Sequence, residues 1–387
     1  MCAEHGGSAP GSGPVVAVCR LDNVGDVLLA GPAVRAVARS ASKVVFVAGP
    51  RGRSAADLLP GVDQVVELHA PWIDPDRVPV RRQALDAVVD ELAALRVEQA
   101  LILGSFHQSP LPTALLLREA GVGLVAAECE DFPGSLLDVR HKVPGGMHEV
   151  ERALSLAARL GHRLGPDDRG RLAVRTGVGR LPAGLPPDPY VVLHPGASVP
   201  ARSWHAAGYR SVASLLGTAG YAVVVTGGSG EQDVVDEVSR ETGVLPLCGA
   251  TDLAGLAKTL AGARAVVTGN TGPAHLSAAV GTPVVSVFAP TVPWSRWRPY
   301  GVPAVRLGDQ GIACAGCRAR TCPVPGHPCI GGVTAEDVVA AVLELGSRST
   351  SHQPASGGHP VQGSSGHLAS DPAEADDGGH LSAEVAV

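Results

Sequence analysis

The stretch Ala263–Pro290, ARAVVTGNTGPAHLSAAVGTPVVSVFAP, reads as strand, glycine-containing turn, helix and strand. Ala265-Val266-Val267 is a short apolar run of the kind buried on both faces of a parallel sheet. Thr268-Gly269-Asn270-Thr271-Gly272-Pro273 interrupts it. The two glycines allow close approach of a ligand to the backbone, and Pro273 suits the first turn of a helix. Ala274 to Val280 is small and helix-compatible, Gly281-Thr282-Pro283 ends it, and Val284 to Phe288 is the next buried strand. A helix that starts beyond the carboxyl end of a parallel strand turns free N–H groups and its positive dipole end toward whatever lies there, which favours phosphate. An ordinary βα turn has the same pattern. Asn270, Thr271 and His275, three polar side chains around one helix start, argue for a ligand site.

Outward from this unit the alternation continues. Toward the N-terminus of the chain, Val15–Arg20, Val44–Gly49, a weaker VDQVVEL, Gln99–Gly104 and GVGLVAAEC read as strands. Helices are expected over LLAGPAVRAVARS, Arg82–Leu95, Pro112–Ala120 and His148–Gly161. The segment Arg163–Pro189 is rich in Gly, Pro, Arg and Asp and reads as a linker with one short strand at Arg171–Arg175. A second set follows: strands at YVVLHPG, YAVVVTGG and near Pro246-Leu247-Cys248, with helices at HAAGYRSVASLLGTAG, EQDVVDEVSRET and Asp252–Leu260. Thr334 and Asp337 support the start of a terminal helix to Leu345. The expected division is a disordered N-terminus at 1–13, a Rossmann-like domain at 14–165, a linker at 166–189, a second such domain at 190–346 and a disordered tail at 347–387. Two such domains imply a cleft between strand ends.

Composition limits the function classes. Of 387 residues 45 % are apolar, enough for two cores, but only 3 % are aromatic, so Ala, Val and Leu must do the packing. The net charge of -6 and the lack of a basic stripe argue against nucleic acid as a partner. MCAEHGGSAPGSGP lacks the features of a signal peptide, and no run of about 18 apolar residues occurs, so a cytoplasmic location is expected. Cys2, Cys19, Cys129 and Cys248 are scattered and read as buried or free thiols.

Three further turns carry chemistry. In Arg20-Leu21-Asp22-Asn23-Val24-Gly25-Asp26, directly after a strand, Asp26 opens a helix; it is either a first-turn acid or a carboxylate able to take a proton from a substrate hydroxyl. His194-Pro195-Gly196-Ala197-Ser198 precedes Arg202-Ser203-Trp204, offering a hydroxyl at Ser198 and a guanidinium at Arg202, whose donor fork suits phosphate. In Thr226-Gly227-Gly228-Ser229-Gly230-Glu231, Glu231 is a first-turn acid or an acceptor for ribose hydroxyls. Neither a G-x-G-x-x-G fingerprint nor a Walker motif is present, which weakens a hydride-transfer reading.

Together, RLDNVGDVLLAGPA, HPGAS with RSW, TGGSGE and TGNTGPAHLSAAVGTPVVSVFAPT resemble glycosyltransferase family 9, which includes the bacterial ADP-heptose:lipopolysaccharide heptosyltransferases. The resemblance runs from about residue 15 to 345 and keeps the family's motif order. It implies the GT-B fold: two Rossmann-like α/β domains with doubly wound parallel sheets, the acceptor mainly on the first and the nucleotide-sugar on the second. It also implies inverting transfer that requires no metal. By the same resemblance Asp26 is the general base, Arg202 and Ser198 with Thr271 and Gly272 meet the donor phosphates, and Glu231, Asn270 and His275 meet nucleoside or sugar. The family's acidic residue at position 270 is an asparagine here, which exchanges a charged double acceptor for one acceptor and one donor.

The resemblance thus implies an ADP-sugar donor, a heptosyl or related group transferred, and a glycan, lipid-linked or small-molecule acceptor, with at most transient membrane association. The alternatives are another nucleotide-hexose, favoured by Asn270, or a non-catalytic nucleotide-sugar-binding protein of the same fold. CAGCRARTCPVPGHPC places Cys314, Cys317, Cys322 and Cys329 at C-x2-C-x4-C-x6-C spacing, so the four thiolates could hold a structural Zn²⁺, or stand as reduced thiols or disulfide pairs. Nearby Arg296, Arg298, Arg318 and Arg320 read as solvated arginines that could also reach the cleft.

Overall fold

The computed structural model describes residues 13–74, 79–105 and 108–350. The first lobe is a parallel sheet of β1 (Val15–Arg20), β2 (Lys43–Ala48), β3 (Gln64–Glu67), β4 (Gln99–Ile102), β5 (Leu124–Glu128) and β6 (Val139–His141), in the order β3-β2-β1-β4-β5-β6. The second is a parallel sheet of β7 (Tyr190–His194), β8 (Val223–Gly227), β9 (Leu245–Cys248), β10 (Ala263–Thr268), β11 (Val284–Val287) and β12 (Ala304–Leu307), in the order β12-β11-β10-β7-β8-β9. Counted from its own first strand, each sheet has the same winding. The order reverses between β1 and β4 in one lobe and between β7 and β10 in the other. At such reversals neighbouring connections leave in opposite directions and open a crevice at the strand ends.

The central strands are apolar on both faces because helices cover both. Val18 lies between Phe46 and Leu101, and Val192 pairs with Val224 and Val266. All six are fully buried. β6 and β12 were not foreseen. They are edge strands of three and four residues, mostly half-buried, so they lack the continuous apolar run that marks an inner strand.

The first helix, Val24–Ala38, joins the lobes. It packs against the helix Glu149–Arg159 and against Gly272–Ala279 of the second lobe. Leu28, Val192 and Leu276 belong to one continuous apolar cluster. Gly25 permits the crossing: a Cβ there would lie 2.8 Å from His275 Cδ2.

Arg171–Arg175 is not a strand. Leu172 and Val174 are buried and the Arg175 N–H donates to the Leu58 carbonyl at 2.8 Å, so this part of the linker is an extended strap on the first lobe. Arg35 fastens it further through Asp168, Nε to Oδ2 at 2.7 Å. The terminal helix, Ala335–Thr350, runs past Gly346 into the expected tail. Thr334 and Asp337 cap its start, each side chain accepting the other's backbone N–H at 3.1 Å. Cys2 and the rest of residues 1–12 and 351–387, where disorder was expected, lie outside the described residues.

Candidate active site

All the turns singled out in the sequence leave the carboxyl ends of strands; three of those strands, β1, β7 and β10, flank the two reversals, and β4, whose turn was not singled out, is the fourth strand there. β1 delivers Asn23 and Asp26, β4 delivers Ser105, β7 delivers Ser198 and Arg202, and β10 delivers Asn270 and Thr271. These residues, with Gly25, Gly272 and His275, line one cavity of about 280 Å³ between the lobes. Val292, Pro293, Trp297 and Arg318 complete its second-lobe wall.

Two helix starts face this cavity without a side-chain cap. Asn23 precedes the first helix and Thr271 precedes Gly272–Ala279, and neither caps its own helix. The Asn23 side chain accepts from Arg51 Nε at 2.8 Å, and the Thr271 hydroxyl meets that of Thr268 at 3.1 Å. No side chain of these two residues takes the first N–H groups; at the second helix, where Pro273 has none and the Ala274 N–H bonds the Thr271 carbonyl, it is the Gly272 N–H that is left for a ligand.

Asp26 stands on the first-lobe side with its side chain 20 % exposed, enough for contact with a substrate. Arg20 Nη2 lies 3.0 Å from Asp26 Oδ1, and Ser105 Oγ donates to the same oxygen at 3.4 Å. Behind it, Arg20 Nε lies 2.8 Å from Asp22 Oδ2. Burial pushes the Asp22 carboxyl up from its ordinary range, against the pull of Arg20. Asp26 is thus the exposed member of a buried ionic group.

Arg202 comes from the opposite wall, on the turn Pro200–Arg202. Its Nε is buried without a hydrogen-bond partner, and burial lowers its pKa, partly offset by the charge of Asp26. A desolvated guanidinium with an orphaned donor suits an incoming anion. Asn270 and His275 are 6 % and 5 % exposed, and each has an orphaned atom, Oδ1 and Nδ1.

Burial, helped by the charges of His148 and Arg202, pulls His275 down to about 3 from 6.5. It enters the site as a neutral imidazole. The unfolded chain takes up this proton below 6.5 and the folded chain only near 3, so this group's contribution to stability is present above 6.5 and lost as pH falls toward 3. We expect His275→Asn to lose less stability than the native protein between pH 7 and pH 4.5 in urea unfolding. An equal loss would mean that this imidazole takes no part.

Glu231 is the one predicted donor-side residue outside the cavity. Its Oε2 accepts the Gly228 N–H at 2.8 Å and lies 3.8 Å from His194 Nε2, and it packs so closely on Gly196 that a Cβ there would collide with it. It braces the His194–Ser198 turn from behind.

The cysteine-rich loop lies beside the donor wall. Cys314, Cys317, Cys322, Cys329 and His327 line a separate cavity of about 40 Å³. All the described cysteines are free, and no group of three or more potential ligands among the described residues stands in a metal-holding arrangement. The loop supports the turn that carries Arg202. The Ala201 N–H donates to the Arg320 carbonyl at 2.9 Å, and His327 Nε2 meets the Ala201 carbonyl at 3.1 Å.

Among the flanking arginines, Arg318 reaches the cavity, while Arg296 is only 4 % exposed and so is not the solvated residue expected. Asn23, Ser105, Trp297 and the partners Arg20 and Glu149 were also missed. The turn after the β4 pattern was the available signal for Ser105, since it follows a strand at a reversal.

Two doubly wound lobes meeting over a cleft define the GT-B class of glycosyltransferase fold. The profile of glycosyltransferase family 9 (heptosyltransferase) matches residues 112–327, and the chain belongs to that family. It is 33 % identical over 224 residues to lipopolysaccharide heptosyltransferase 1 of Pseudomonas aeruginosa, a match covering 56 % of this chain and 61 % of that one, so it spans under two thirds of this relative's length. The glycosyltransferase family 9 structure from Veillonella parvula superposes with a TM-score of 0.71 at 18 % identity, covering 87 % of this chain and 98 % of that one. The E. coli heptosyltransferase WaaC with ADP-2-deoxy-2-fluoro heptose gives 0.65 at 21 % identity, covering 85 % and 99 %. No helix among the described residues is long and apolar enough to cross a membrane.

Proposed function

We propose that this chain transfers a glycosyl group, in the leading reading a heptosyl, from an ADP-sugar to an acceptor hydroxyl, with inversion and without a metal in the chemical step. The observation that carries the reading is the placement of Asp26 and Arg202 on opposite walls of one cavity, beside two uncapped helix starts. The acceptor oxygen attacks the anomeric carbon while the bond from that carbon to the diphosphate oxygen breaks. The proton passes to Asp26, and the electron pair leaves with the diphosphate. Arg202 and the Gly272 N–H meet that growing charge. Ser198, Thr271 and His275 line the donor side, with Glu231 behind them as the residue for the ribose. Attack from the face opposite the leaving group inverts the anomeric centre.

The acceptor, a glycan, a lipid-linked glycan or a small molecule, is placed in a second cavity of about 330 Å³. It shares Ser105 with the cleft and is lined by Gln108, Glu128, Asp131 and Arg152. The neutral, buried Asn270 favours a second reading, transfer of another nucleotide-hexose, because its amide replaces a carboxylate against the sugar hydroxyls.

A ligand that binds only the folded state raises its melting temperature, by about 2.7 kcal/mol of stability at a hundredfold excess over Kd. We expect ADP and ADP-sugars to give a clear rise and UDP- or GDP-sugars none. A rise with the latter alone selects the second reading. Binding without any labelled product across an acceptor panel selects a non-catalytic binder.

The cysteine pocket carries the cofactor part of the proposal: a structural zinc that would tie the loop beneath Ala201, with no chemical step routed through it. Its four thiols would have to close up around the ion. Metal analysis of protein purified under reducing conditions decides: one zinc per chain supports the site, and its absence leaves reduced thiols or disulfide pairs.

A further inference from the structure

Glu149 is the first residue of the helix Glu149–Arg159, only 3 % exposed, and three arginines surround it. Arg152 Nε lies 3.3 Å from its Oε1. Arg296 donates to the same oxygen through Nε at 3.0 Å and through Nη2. Arg20 Nη1 lies 3.6 Å from Oε2. Arg20 belongs to the first lobe and holds Asp22 and Asp26 with its other nitrogens, whereas Arg296 sits in the second-lobe turn Trp294–Trp297. Its guanidinium lies 4.7 Å from the centre of the Trp297 ring, and Trp297 lines the cleft. An unbroken line of charges therefore runs from the second-lobe wall to the Asp26 carboxylate.

Stability is a poor explanation for this line. Buried ion pairs are often no more stabilising than apolar residues of similar volume. The lobes are also joined beside it by other means: the first helix packs on Gly272–Ala279, His148 Nε2 meets the Arg298 carbonyl at 3.0 Å, and the His148 and Tyr300 rings lie 4.5 Å apart. What the line adds is orientation. A guanidinium is planar, so the charges of Asp22 and Glu149 beside two of its nitrogens bias where the third, which bonds Asp26, lies.

We infer that Glu149 and Arg296 are positioning residues for the Asp26 carboxylate, acting through Arg20, so that the base is aimed only while the second-lobe wall is seated against the first. The inference rests on the reading of Asp26 as the base, but its geometric part is separable. The experiment is a carbon-13 spectrum of the full chain labelled at the aspartate carboxyls, at one fixed pH, with the Asp26 line assigned by its loss in Asp26→Asn. Arg296→Gln and Glu149→Gln are each expected to move that line beyond its width. In an ADP-heptose transfer assay both are expected to lower kcat about tenfold with the affinity for ADP changed less than about twofold, within the range for coupled neighbours.

Arg296→Lys, which keeps the charge without the fork, is expected to move the line less and serves if the glutamine variant does not fold. A tie that merely held the lobes would weaken ADP binding and lower the melting temperature with the Asp26 line in place. An unmoved line in the folded variants overturns the inference. Full turnover in Asp26→Asn would instead overturn the base reading, and the line would still report on the positioning.

Discussion

Asp26→Asn is expected to lose nearly all glycosyl transfer while still binding ADP. The substitution keeps the shape of the side chain and an oxygen for Arg20 Nη2, which lies 3.0 Å from Oδ1. It removes the charge proposed to draw the proton from the acceptor hydroxyl. A positioned general base contributes about 10²–10⁴-fold, and kcat is expected to fall by that amount. The groups proposed to face the phosphates stand on the opposite wall and feel Asp26 only through its charge on Arg202, which is smaller than the effect of burial, so the dissociation constant for ADP, measured by calorimetry, is expected to stay within about threefold. Turnover at the native level would remove Asp26 from the chemistry. Loss of ADP binding together with turnover would mean that Asp26 serves the architecture of the cleft.

Arg202→Ala is expected to have the opposite signature: weak donor binding as well as slow transfer. In the proposed reaction the guanidinium faces a leaving group whose charge grows as the glycosidic bond breaks. Losing one such preorganised donor costs about 10²–10³-fold in rate. We expect a fall of that size in kcat/KM for the donor, with Arg202→Lys recovering a part, because an ammonium keeps the charge without the planar fork. Thermal stability without ligand is expected to hold or rise. Arg202 Nε is already buried with no hydrogen-bond partner, so removing it relieves an unfavourable desolvation. Calorimetric titration with ADP and melting of the ligand-free protein check the two halves. An unchanged donor KM would place the phosphates elsewhere in the cavity.

The two predictions separate because, in the proposed reaction, each lobe supplies one part. The sheet reversals bring them to one place: Asp26 follows β1, and Arg202 follows β7. The helices that begin at Val24 and Gly272 pack start against start, with only hydrogen at Gly25 where a Cβ would meet His275. We read the glycine beside the proposed base as a condition for bringing the lobes this close.

Much of this was legible before any coordinates. The inner strands announce themselves as unbroken Val/Ala/Leu runs, because burial on both faces leaves no polar alternation. The turns announce themselves through glycine, proline and polar residues at strand ends. Asp26, Ser198, Arg202, Asn270, Thr271, Gly272 and His275 were all nominated that way, and all line the cleft. The misses share a cause too. β6 and β12 are edge strands, and the Arg171–Arg175 strap is held by contacts with Leu58 and Arg35 rather than by a pattern of its own. Glu231, nominated for the ribose, lies outside that cavity, bonded to the Gly228 N–H and packed on Gly196.

Local residue pattern was thus sufficient for the two parallel sheets and for the phosphate-friendly turns, since periodicity and turn chemistry act over a few neighbouring residues; the reaction class came from the resemblance of four motifs to a known family. Which charges share a space was decided only by folding. Arg296 looks solvated in the chain and is buried against Glu149 from the other lobe, 147 positions away in sequence. No short-range pattern encodes such a pairing: it exists because two separately patterned sheets close on each other, and the low dielectric between them makes each buried charge depend on partners that sequence distance conceals.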